Sequence, residues 1–331
     1  MFGRRSTAPS TVAHGKHGAG ARGVHVQLAE LVALEHRHLM SAAAPYRPLH
    51  SLLGGRHGSR LRGRGLDFLE MRHYLPGDDV RTIDWRGTAR TGRPHIRVHA
   101  EERDRPVVLV VDQRQNMFFA TRCAMKSVVA AEAAALFGWS LRRGGDRVGA
   151  LVFDDRDARF FSPQHGRAGW LRVLGEIARC NQALHAESAQ PPLAAMLDQV
   201  LARLLQSLSP GHLIVLLSDF DGAGTPSDAL IARLARHHEL LALPVWDRGS
   251  QAWPERGQYV VSNGALQLAL HAEDTAERER LAAVAATHRH RIERWRDELG
   301  VPMLPLVTDA DVATQLQRAL AVDPGMQVRA R

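Results

Sequence analysis

Apolar positions come in two patterns along this chain, short unbroken runs and longer segments with helical spacing. Val107 to Val111 is a continuous apolar run, as expected of a strand covered on both faces. Arg122 to Arg143 follows as a long Ala-rich helix with Met125, Val128, Val129, Leu136, Phe137 and Trp139 on its apolar side, closed by Gly144-Gly145. The alternation then repeats. Arg147 to Phe153 reads as a strand with Ala158 to Phe161 as a hairpin partner. Arg167 to Leu184 and Leu193 to Leu208 read as helices, Leu213 to Leu217 as a strand, and Ser227 to His238 as a helix. Leu240 to Val245 is the next strand, and a charged helix spans Glu273 to Leu299. Met303 to Val307 and Asp309 to Leu320 complete the series as strand and helix. Strands alternating with helices of this length predict an α/β fold, a doubly wound, mainly parallel sheet of Rossmann-like type over residues 106–321.

The N-terminal third is patterned differently. Residues 1–24 are rich in Gly, Ser, Ala and basic groups without periodicity, which predicts a disordered basic arm, and residues 322–331 read as a disordered tail. Val26 to Met40 suits a short helix, and Gly54 to Gly65 a basic, Gly-rich loop. Residues 66–105 carry turn signals at Pro76-Gly77-Asp78, Gly87 and Gly92-Arg93-Pro94, with alternating stretches such as His95-Ile96-Arg97-Val98. They predict a small β-rich segment preceding the sheet domain.

Charge changes this picture only locally. The 331 residues carry 43 Lys and Arg against 35 Asp and Glu, a formal net charge of +8, with a sequence pI near 10.5. Residues 1–65 hold ten of the basic groups and two acids, so they account for the whole excess, while the remainder balances 33 against 33. Nucleic-acid or anionic-surface binding is therefore an expectation for the first 65 residues alone. Two cysteines, Cys123 and Cys180, exclude a disulfide framework and read as small apolar residues on helices. No segment approaches the ~20 apolar residues of a membrane span, and no signal-peptide pattern opens the chain, which predicts a soluble cytoplasmic protein.

Candidate chemistry lies at the strand ends, because ligands of such sheets bind outside the carboxyl ends where strand order reverses. Asp112 directly follows the first strand, and Asp219 and Asp221 follow the Leu213 to Leu217 strand. Were the two strands neighbours, two carboxylates at ~4 Å would repel by about 4 kcal/mol at an effective dielectric of ~20. A hard divalent cation on oxygen ligands is the usual remedy.

The order strand-Asp112, helix, strand, helices, strand-Ser218-Asp219 resembles the von Willebrand factor A domain, whose metal-ion-dependent adhesion site uses Asp-x-Ser-x-Ser after its first strand. A longer motif is more specific. Gly63-Arg-Gly-Leu-Asp-Phe-Leu-Glu-Met-Arg72-His-Tyr74-Leu-Pro76-Gly77-Asp78-Asp79-Val-Arg81-Thr-Ile-Asp84-Trp85-Arg86, with Ala89-Arg90-Thr-Gly92, resembles the signature of the domain-of-unknown-function 58 family of bacterial proteins. The resemblance continues through Glu101-Glu102-Arg103, Gly145-Asp146-Arg147-Val148-Gly149, Ser218-Asp219-Phe220 and Gly300-Val301, so it covers roughly residues 50–321. It implies an A-like domain behind a β segment and a role as partner or adaptor of a MoxR-type AAA+ ATPase. No enzymatic activity is implied.

The metal motif is altered. After the first strand the string is Asp112-Gln113-Arg114-Gln115-Asn116, so Arg114 and Asn116 stand where the resemblance implies serines, and only Ser188 offers a counterpart to a middle-loop threonine. Arg114 has five donors and no acceptor, so it cannot ligate a cation. A guanidinium fork between Asp112 and Asp219 would neutralise both without an ion. The expectation is a degenerate, metal-independent adhesion site with no cofactor, its rim formed by Asp112, Arg114, Asn116, Asp219 and Asp221. A weak Mg²⁺ on Asp112, Asn116 and Asp219, with Arg114 turned outward, is the competing arrangement. His288-Arg-His290 reads as a solvated face of a charged helix, and no Walker, Gly-x-Ser-x-Gly or His-Glu-x-x-His motif occurs. An unrecognised hydrolase has no nucleophile and base identifiable by spacing.

Overall fold

The structure is a computed structural model that describes residues 23–37, 39, 67–74, 83–100, 106–186, 195–250, 258–262, 267–271 and 274–321. The arm up to residue 22, the Gly54 to Gly65 stretch, the Pro76-Gly77-Asp78 turn, Ser188 and the tail from residue 322 lie outside the described residues.

Five parallel strands and one antiparallel strand form the central sheet. They are β3 (Pro106–Asp112), β4 (Arg147–Phe153), β5 (Ala158–Gln164), β6 (Leu213–Ser218), β7 (Glu239–Trp246) and β10 (Leu306–Val307), in the order β10-β7-β6-β3-β4-β5, with β5 antiparallel to β4. The chain adds β4 on one side of β3, then crosses to add β6 on the other. That reversal makes the gap between the carboxyl ends of β3 and β6 the topological switch point of a doubly wound α/β sheet.

Alternation along β3 divides the core into two layers, because successive strand side chains point to opposite faces. Val107, Leu109 and Val111 face the helices α3 (Lys126–Arg143), α4 (Arg167–Gln182) and α8 (Val312–Ala321), together with the short N-terminal helix α1 (Leu28–Ala33). Val108 and Val110 face α5 (Met196–Ser207), α6 (Thr225–His237) and α7 (Thr275–Leu299). Helix α3 is buried over nearly its whole circumference, and Gly138 lets the Trp170 ring of α4 lie directly against its backbone.

The β-rich segment is a two-stranded antiparallel unit of β1 (Asp67–His73) and β2 (His95–Ala100), with a bulge between Phe68 and Glu70. Between the strands lies a helix, α2 (Trp85–Thr91), that the turn chemistry did not predict. Its backbone is tied to β2 by Asp84 N–H donating to the His95 carbonyl and His95 N–H donating to Thr88 Oγ1. A second hairpin, β8 (Gln258–Ser262) with β9 (Gln267–His271), was likewise not read from the sequence, although Asn263-Gly264 between two alternating runs is a hairpin signal. Cys123 is a correction: it is exposed, in a loop and at φ 59°, because α3 begins only at Lys126. Cys180 is buried on α4.

At the opposite end of the sheet His212 and His238, before β6 and β7, stack edge to face at 5.8 Å. Both are buried, and His238 Nδ1 has no hydrogen-bond partner among the described residues. Burial, then His212 and His237, hold the His238 imidazole below its ordinary 6.5. A group whose folded pKa is depressed in this way favours the unfolded chain once protons compete, so stability falls as pH drops below 6.5. Urea midpoints at about pH 7.5 and 5.5 are expected to differ less in His238→Gln than in the parent chain.

Candidate functional site

The switch point brings Asp112, Arg114, Asn116, Asp219 and Asp221 together. Asp112 is fully buried at the end of β3, and Arg114 folds back over it at 2% exposure. Its Nε donates to Asp112 Oδ1 at 3.1 Å and its Nη2 to Oδ2 at 2.7 Å, while the Arg114 backbone N–H reaches Oδ1 at 3.0 Å. Ser218 Oγ donates to the same Oδ2 at 2.5 Å. The fork does not bridge the two aspartates. Its Nη1 donates to the Asp221 carbonyl at 3.1 Å, and Nη2 stands 4.0 Å from Asp219.

Asp219 takes its charge partner from elsewhere. Lys126, the first residue of α3, sets its Nζ on Asp219 Oδ2, and Asn116 Nδ2 and the Asp221 N–H donate to Oδ1 at 2.8 and 2.9 Å. Lys126 escaped the sequence reading, although it is one of only two lysines in the chain and the only one in the sheet domain. The loop after β6 is held by an uncommon backbone state, since Phe220 has φ 58°. Its N–H donates to Ser218 Oγ at 2.8 Å and its ring packs edge to face on Trp295, which over-determine that turn.

Charge and burial set the protonation of these groups. Burial pulls the Arg114 guanidinium down, but Asp112, with smaller help from Asp219 and Asp221, more than offsets it and holds it above the usual arginine value. Burial likewise pushes Asp219 up, and Lys126 and then Arg114 outweigh it, holding the carboxyl below its ordinary range. Two carboxylates and two cations thus make a formally neutral cluster. Outside it, Asp155 in the β4–β5 turn accepts from the Gln115 N–H at 2.5 Å, and burial raises its pKa.

A second network secures the site from behind. Gln113 donates to the Ser127 carbonyl and accepts from Asn181 Nδ2 at 3.0 Å, and Asn181 Oδ1 accepts from the Val26 N–H at 2.8 Å. The segment before α1 is therefore strapped to the loop that carries Arg114. His288 is a correction to the solvated-face expectation: its ring nitrogen lies 2.8 Å from the Asp219 carbonyl and its ring meets Trp246 edge to face. Period and spacing place it on α7, but only the sheet brings it to the rim.

The divalent ion implied by resemblance finds no donor set here. Every oxygen of Asp112 and Asp219 already accepts a hydrogen bond from a protein donor. Asn116 turns its amide nitrogen to Asp219, as an acceptor-only carboxylate requires, and leaves Oδ1 buried and unpartnered. Among the described residues no group of three His, Cys, Asp or Glu is placed to hold a metal. Of the family-motif residues, Arg72 lies on β1 and Tyr74 follows it. Asp84, Trp85 and Arg90 lie at α2, and Trp85 is 70% exposed. Pro76, Gly77, Asp78, Asp79 and Arg81 lie outside the described residues.

Fold and rim together define a doubly wound α/β protein with an ion-paired polar cluster at its switch point. The sequence matches the family model described as "Protein of unknown function DUF58" over residues 70–291. It is 33% identical over 274 residues to the uncharacterized protein Rv1480 of Mycobacterium tuberculosis (strain ATCC 25618 / H37Rv) and to the uncharacterized protein Mb1516 of Mycobacterium bovis (strain ATCC BAA-935 / AF2122/97), covering 82% of this chain and 84% of each relative. The chain belongs to the DUF58 family. Among solved structures, the conserved hypothetical protein BatB from Bacteroides thetaiotaomicron overlaps 65% of this chain and 96% of its own at 12% identity, with a TM-score of 0.33.

Proposed function

We propose that this protein is a non-enzymatic interaction module, an A-like domain that binds a protein partner through the rim at the carboxyl ends of β3 and β6. The observation that carries the reading is the mutual engagement of the rim's ionisable groups. Arg114 is committed to Asp112 and Lys126 to Asp219, so neither carboxylate is free to act as base or nucleophile, as acid–base or covalent catalysis requires. Around this rigid centre, exposed Arg156 and Asp157 in the β4–β5 turn and exposed Asp221 after β6 present a polar surface at the carboxyl end of the sheet.

The partner we infer from the family resemblance is a MoxR-type AAA+ ATPase, met in the cytoplasm. No helix among the described residues is long and apolar enough to cross a membrane. Capture from lysate of the native host, in mild salt with and without nucleotide, is expected to recover such an ATPase. Asp221→Asn is expected to weaken capture with only a small change in the thermal midpoint, since the Asp221 side chain is exposed, its hydrogen bond to Arg114 runs through its carbonyl, and its charge is a minor support of that guanidinium. Recovery of no ATPase, or equal capture by the variant, sinks the rim reading.

A further inference from the structure

The two buried carboxylates of the rim, Asp112 and Asp219, are neutralised by separate residues from separate elements. Arg114 comes from the loop after β3, Lys126 from the start of α3, and each lies inside the site, with side-chain exposures of 2% and 13%. A divalent ion would have to displace both, because each carboxylate must present lone pairs to an oxygen-ligated cation. Displacement would take the guanidinium from Asp112 and the Asp221 carbonyl, which now hold it against the Phe153 ring.

We propose that Arg114 and Lys126 are resident cations, one for each of the buried carboxylates Asp112 and Asp219, that stand in place of the divalent ion and close this rim to Mg²⁺ and Mn²⁺. A partner is then held by surface contacts and hydrogen bonds, with no metal bridge to a carboxylate of its own. The proposal concerns ion binding alone, so it stands or falls apart from the identity of any partner.

Titration of Mn²⁺ into the full chain, followed by the electron paramagnetic resonance of the free ion, reads this directly. The parent chain is expected to show no micromolar site. Arg114→Ser combined with Lys126→Ser leaves two buried carboxylates without cations, and Mn²⁺ is expected to bind at least about tenfold more tightly than to the parent. Adding Asp112→Asn is expected to remove the gain. A micromolar site in the parent that Asp112→Asn abolishes overturns the proposal. So does a double variant that is folded by circular dichroism but has the parent's Mn²⁺ affinity. A double variant that remains unfolded both with and without Mn²⁺ also counts against it, since the ion should then substitute for the missing cations.

Discussion

Replacing Arg114 by methionine is expected to lower the free energy of unfolding by about 3–5 kcal/mol, because it leaves Asp112 as an uncompensated buried charge. The magnitude follows from burial. Asp112 is 0% exposed and Arg114 2%, so water cannot replace the lost guanidinium, and among the described residues the Ser218 hydroxyl and the residue-114 N–H remain as donors to the carboxylate. A surface pair such as Arg294 with Glu298, about half exposed on both sides, is worth only ~0–1 kcal/mol by contrast. Adding Asp112→Asn to Arg114→Met is expected to recover part of the loss, since the pair can be exchanged for neutral groups at little net cost. Urea titration of the three variants and the parent measures both terms. A loss below about 1 kcal/mol in Arg114→Met would mean that the fork lies in solvent.

The second large effect concerns Gly149 on β4. A Cβ there would meet the Phe161 carbonyl oxygen at 2.3 Å, the Pro163 nitrogen at 2.6 Å and the Ser162 carbonyl carbon at 2.8 Å. All three are backbone atoms of the paired strand β5, at the place where the β4–β5 register shifts between Val148 and Ala150. No rotamer change relieves such a contact, so Gly149→Ala is expected to cost about 3 kcal/mol or more by parting the two strands. Gly175 on α4 is the matched control. Nothing lies within 4 Å of its added Cβ, so Gly175→Ala is expected to be neutral or to stabilise by up to ~1 kcal/mol through helix propensity. If both variants unfold at the parent midpoint, the close approach of β5 to β4 does not exist in solution.

Both predictions bear on the rim. Gly149 fixes the strand that ends in the Asp154 and Asp155 turn, and Asp155 holds the Gln115 N–H next to Arg114. The neutral cluster is thus supported from three sides, by β5 through β4, by the strap through Asn181 and Gln113, and by α7 through His288.

Much of the molecule was legible from the sequence because burial is periodic. The apolar run of Val107 to Val111, the Ala-rich helix after it and the repeated strand-helix alternation determined the sheet, and the position of Asp112 and Asp219 after their strands determined where polar groups would meet. The long motif from Gly63 to Arg86, with Ala89 to Gly92, pointed to the family whose model matches residues 70–291. Local signals did less well where several states compete over a few residues. Trp85 to Thr91 contains Gly87 and two threonines, a weak helix by propensity, and it became helical through its ties to β2.

Only the tertiary structure decided which cation serves which carboxylate. Arg114 sits two residues from Asp112 in the chain and reaches it in one turn, whereas Lys126 is separated from Asp219 by 93 residues and meets it only because β6 pairs with β3 on the side away from β4. Hydrophobic period reports the solvent exposure of each residue in turn, which can be read from near neighbours. Ion-pair partnership depends on distance across the fold, and a Coulombic attraction confined to a few ångströms leaves no periodic trace in the sequence.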